Sequence, residues 1–106
     1  MDRLSRTDMI CKLLEEDPAD VFLNYALGLE FVSELNLDDG EKQFKKTLEL
    51  DPNYIAAYYQ LGKVYESRVQ NEEALRIYRE GLKKAREQGN TKAAGEFDEA
   101  IFMLEG

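Results

Sequence analysis

Leu27-Gly28 returns as Leu61-Gly62, and around this pair Asp17-Pro18 returns as Asp51-Pro52, Tyr25 as Tyr59, Phe31 as Tyr65 and Phe44 as Tyr78, each 34 positions on. A fixed period of that length marks a supersecondary unit that cannot bury its apolar face alone and must stack on its neighbours. The chain is thereby directed to an all-α fold, a stack of antiparallel helix hairpins with about six helices.

Local punctuation supports that reading. Leu4, Ile10, Leu13 and Leu14 form an apolar stripe at helical spacing that stops at Asp17-Pro18, where Asp is expected to cap the next helix and Pro to occupy its first turn. A second helix over about 18–34 carries Phe22, Tyr25, Leu27, Leu29 and Phe31; Asn36 is a cap for a third, which holds Phe44, Leu48 and Leu50. Asp51-Pro52 opens a fourth over about 53–68, and Asn71, Glu72 and Glu73 begin a fifth that runs to about Glu87. Gly89 suits a helix end, Asn90 or Thr91 can cap the last helix, and Ala93, Phe97, Ala100, Ile101 and Leu104 recur within it at spacings near one turn. No stretch alternates with period two, so no strand is expected.

Composition narrows the functional classes. The 106 residues, 43% hydrophobic and without Trp, suit one domain with a modest core. A net charge of −8 repels phosphate backbones, which argues against nucleic acid, although residues 55–88 are mildly basic and could attract an acidic peptide. No run approaches the roughly 18 apolar residues of a membrane span, and the N-terminus lacks an apolar signal core, so a cytoplasmic protein is expected. The absence of His removes Ser-His-Asp and Cys-His chemistry and every His-containing metal site; the lone Cys11 builds neither a disulfide nor a thiolate cluster. Leu35 and Leu37 occupy places where a calcium loop needs oxygen ligands. The expectation is a chain with no catalytic residues, no metal and no cofactor.

Taken together, these residues resemble the tetratricopeptide repeat family. In residues 21–54 its pattern is met by Leu27, Gly28, Phe31, Gly40, Phe44 and Pro52, and in 55–88 by Tyr58, Leu61, Gly62, Tyr65, Ala74 and Tyr78. The resemblance implies a right-handed stack in a single domain, 1–106, with a half-repeat over 1–20, full repeats over 21–54 and 55–88, and a capping helix over 89–106. Departures are Asn24 in place of a large apolar residue, Thr47 and Gly81 in place of Ala, and Arg86 in place of the closing Pro.

The resemblance also implies that the first helices of the hairpins line a groove for a peptide or partner helix. Projected onto this chain, the candidate partner-binding residues are Phe22, Tyr25, Leu29, Val32, Tyr59 and Lys63, with Lys63 expected to meet an acidic group. Tyr25 and Tyr59 are expected to serve binding rather than stability. Family members that grip the carboxylate of chaperone tails use Lys, Arg and Asn where this chain has Tyr25, Leu29 and Gln60, so no such clamp is implied. The expected function is a non-catalytic module for a protein or peptide partner. Two alternatives stay open: a homodimer built on the same patch or the terminal helices, with Phe102 and Met103 as contacts, and a second apolar face simply covered by a terminal helix.

Overall fold

The computed structural model describes residues 4–106, and residues 1–3 of the expected half-repeat lie outside them. Among the described residues there are six α-helices and no strand: α1 (Arg6–Glu16), α2 (Val21–Ser33), α3 (Leu37–Leu50), α4 (Ile55–Ser67), α5 (Asn71–Glu87) and α6 (Thr91–Glu105). They fall into two compact units, the first ending at Pro52 and the second spanning Asn53–Gly106.

In the first unit α2 and α3 form a hairpin whose core holds Leu27 and Phe44. The α1 helix begins at a capping box, with Ser5 accepting from the Asp8 N–H. It then packs on α2 with Ile10 buried, held at its start by Arg6 to Glu30 at 3.3 Å and Thr7 to Glu34 at 2.7 Å.

The expected start of α2 at Pro18 is corrected. A residue that precedes proline is pushed out of the helical region, and both Asp17 (φ −140°, ψ 76°) and Asp51 (φ −145°, ψ 96°) end a helix there instead of capping the next one. A turn intervenes, and Asp20 caps α2 by accepting from the Leu23 N–H at 2.8 Å.

The same turn accounts for Asn24. Its buried amide donates to the carbonyls of Pro18 (3.0 Å) and Asp20 (2.8 Å), and its oxygen accepts from Gln43 on α3. A large apolar side chain would take these hydrogen bonds from the Pro18 carbonyl and the Gln43 amide, which explains the departure from the family pattern. Thr47, also buried, donates to the Gln43 carbonyl at 2.9 Å.

In the second unit α4 and α5 repeat the hairpin around Leu61 and Tyr78. A Cβ on Gly62 would fall within the Tyr78 ring, as one on Gly28 would strike Phe44, so the helices approach only because that atom is missing. Gly81 answers a different demand. A Cβ there would lie 2.5 Å from Phe97 Cζ and 2.8 Å from Tyr58 Cβ, so glycine replaces the family's Ala in order to seat Phe97 of α6. Phe97 is 1% exposed and is the means by which α6 docks on α5.

Helices α2, α4 and α5 end alike. Leu35 (φ 63°), Val69 (φ 57°) and Gly89 (φ 67°) adopt the left-handed conformation. Each donates to the carbonyl three residues back, while the following residue donates to the one five back, which is the Schellman arrangement. That following residue then begins the next helix. Asn36 and Asn90 cap with their side chains, whereas Gln70, at the equivalent position before α5, makes no side-chain cap, and Asn71 begins that helix as expected.

Val69 is β-branched, 79% exposed and in a backbone region that costs an L-residue about 1–2 kcal/mol. Val69→Gly is therefore expected to stabilise the protein by about 1 kcal/mol, read as a higher urea midpoint with an unchanged slope.

Candidate functional site

Turn by turn, the outward residues of α4 after its buried stripe are Tyr59, Lys63 and Glu66. Tyr59 is half-buried, with its ring centroid 5.9 Å from Tyr78 and 5.8 Å from Phe97. Lys63 folds back over that ring, its Nζ 5.8 Å from the centroid. The carboxylate of Glu66 accepts a hydrogen bond from the hydroxyl of buried Tyr78, which orients it. Burial, reinforced by the Glu66 carboxylate, pushes the Tyr78 phenol well above its ordinary value of 10.0, so it stays a donor.

Opposite them stands one face of α6. Glu96, Glu99, Ala100 and Met103 follow one another at helical spacing and, with Tyr59, Lys63 and Glu66, line an open cleft of about 280 Å³. Because α6 is anchored on α5 through Phe97, it flanks α4 instead of covering it. Three carboxylates, one ammonium, an aromatic edge and a Met that is 73% exposed therefore meet in one recess.

Lys63, expected to meet an acidic group of a partner, shares its cleft with Glu96 and Glu99 of α6, and with Glu66 they outnumber it.

The remaining candidates divide. On α2, Phe22 is 64% exposed and Leu29 also faces solvent. Tyr25 is half-buried, its ring centroid 5.8 Å from that of Phe44, so it serves the hairpin core as well as the surface. Val32 packs over Gly40, where a Cβ would come within 2.8 Å of Val32 Cγ2; it belongs to the α2–α3 contact because Gly40 leaves room for it. The expectation that Tyr25 and Tyr59 could be removed without loss of stability is corrected for the same reason: their rings lie against core aromatics.

Sequence reasoning missed Glu96 and Glu99, and gave Met103 only as a dimer contact, by treating the last helix as a cap with one apolar stripe. Their spacing of three and four residues, adjacent to that stripe, was the available signal.

Among the described residues, no helix is long and apolar enough to cross a membrane. The tetratricopeptide repeat profile matches residues 44–101. A chloroplast protein of Arabidopsis thaliana, the tetratricopeptide repeat domain-containing protein PYG7, is 37% identical over 68 residues, which are 64% of this chain and 22% of that protein. The chain thus spans about a fifth of that relative's length. A tetratricopeptide repeat domain protein from Salinibacter ruber, solved by NMR, is 37% identical with a TM-score of 0.80, covering 85% of this chain and 91% of its own. The TPR2B domain of yeast Sti1, solved as a complex with pHsp70, shares the fold at a TM-score of 0.87 and 17% identity, over 93% of this chain and 79% of its own. With its 34-residue hairpins, its close-packed glycines and these matches, the chain belongs to the tetratricopeptide repeat family.

Proposed function

We propose that the protein is a non-catalytic interaction module that seats a segment of a protein partner in the cleft between α4 and α6. Membership of a family of protein-interaction modules supplies the class. The observation that carries the reading is the open cleft itself: with α6 docked through Phe97 on Gly81, Lys63 and Met103 are exposed and Tyr59 is half-buried along it. Aromatic and Met side chains at such a place bury area at low conformational cost and adapt to varied partners. Phe22 and Leu29 of α2 form a second proposed contact surface on the first unit.

Selection of random dodecapeptides displayed on phage against the whole chain tests this. Enriched peptides are expected to bind the wild type and to lose at least tenfold in affinity for Met103→Asp, a change at an exposed position that leaves helicity intact. Failure to enrich any peptide, or equal binding to both proteins, would remove the cleft from consideration.

A homodimer is the second reading, favoured by Phe102, which is 72% exposed on α6. Light scattering across a dilution series separates the two. A monomer mass at high micromolar concentration excludes self-association, whereas a dimer abolished by Phe102→Asp establishes it.

A further inference from the structure

The carboxylates of α6 are not treated equally by their surroundings. On the side facing α5, Glu105 accepts from Arg79 at 2.8 Å and Asp98 lies 3.7 Å from Arg86. On the side facing α4, Glu96 and Glu99 line the cleft together with Glu66, and Lys63 is the one cation in that lining. The α5 helix thus supplies guanidinium partners one for one, and α4 does not. Glu66 is further constrained, since the buried Tyr78 hydroxyl holds one of its oxygens and fixes the carboxylate at the cleft wall.

The recess therefore combines surplus negative charge with apolar surface. Its charge is three carboxylates against one ammonium, and its apolar parts are the Tyr59 ring, Ala100 and the exposed Met103. Among the described residues no group of carboxylates is arranged to hold a metal ion. An alkyl stem ending in an organic cation satisfies both halves of the lining: the stem lies along Met103 and Ala100 while the head reaches Glu96 and Glu99.

We propose that the α4–α6 cleft selects a partner segment bearing a Lys or Arg side chain, and that Lys63 acts as an internal stand-in for that cation. An incoming residue displaces Lys63 from the face of Tyr59. Its charge sets a threshold that weakly basic or neutral segments do not overcome. The inference rests on the cleft reading above and adds the chemistry of the occupant.

The test uses three fluorescein-labelled dodecapeptides sharing a Leu-Ser framework and carrying Lys, Gln or Glu at every third position, titrated by anisotropy against the whole chain. The Lys peptide is expected to bind at least tenfold tighter than the Gln peptide, with affinity falling as salt rises. The double variant E96Q/E99Q is expected to lower its affinity by about tenfold, the product of two exposed charge contacts, and K63Q to raise it by about threefold. The variant E72Q/E73Q, at exposed positions in the first turn of α5, makes the same change of net charge outside the cleft and is expected to have little effect.

Equal loss in E96Q/E99Q and E72Q/E73Q would mean diffuse attraction to an acidic protein and would overturn the assignment. Tight binding of the Gln or Glu peptide that still depends on Met103 would overturn the charge preference while the cleft stands. No binding by any of the three, together with a failed phage selection, would remove both.

Discussion

Phe97→Ala is expected to cost about 3–5 kcal/mol, the usual loss when a fully buried aromatic ring is deleted. The ring is 1% exposed, seated on Gly81, and its centroid lies 5.8 Å from that of Tyr59 and 6.2 Å from that of Tyr78. Gly81, directly beneath the ring, has no side chain to move into the space, so the surroundings can relax only in part and a cavity term adds to the lost burial. A domain of this size has only about 5–15 kcal/mol in total. The variant is therefore expected to lose much of its stability in urea, followed by far-UV circular dichroism, and to lose cleft binding because α6 supplies Glu96, Glu99 and Met103. A loss below about 1 kcal/mol would show that α6 is held by something other than this ring. Phe97→Leu provides the graded control, with most of the stability restored.

Leu61→Ala is expected to cost about 2–5 kcal/mol by the same argument at a different contact. Leu61 is 1% exposed on α4, beside the glycine that admits Tyr78, and its loss loosens the α4–α5 hairpin itself. The informative comparison is Leu29→Ala. Leu29 lies on α2 two positions past Leu27, where the repeat places Lys63 on α4, and it faces solvent. Leu29 is 37% exposed, so that change is expected to cost less, about 1 kcal/mol, because less burial is lost and solvent takes the place of the removed atoms. Chemical denaturation of the three proteins distinguishes the two stripes of a first helix. Equal costs for Leu61 and Leu29 would contradict the burial pattern.

Much of the fold was legible because it is written locally and twice. Gly28 and Gly62 mark the close approaches, Asn36 and Asn90 the caps, and Gly89 a left-handed helix end, each through a residue whose physical properties admit few alternatives. Errors arose where a residue's role depends on its neighbours in space. Asp17 and Asp51 resembled caps, but the following proline makes them terminators. Val32 resembled a groove residue until Gly40 was seen to leave a space beneath it. Asn24 looked like an anomaly and proved to be the hydrogen-bonded link between the Pro18 turn and α3.

The candidate site was half visible. Tyr59 and Lys63 follow from projecting the repeat onto one helix, since equivalent positions of equivalent hairpins face the same way. Glu96, Glu99 and Met103 lie outside the two matched repeats, and their meaning depends on where α6 docks. By itself the sequence determined that the chain forms helical hairpins, because a 34-residue period with small residues at fixed places leaves the apolar stripes no other way to be buried. Only the tertiary structure decided that the last helix stands beside α4 and makes the cleft acidic. That outcome turns on one ring, Phe97, meeting one missing side chain at Gly81, a contact between distant residues that no local pattern encodes.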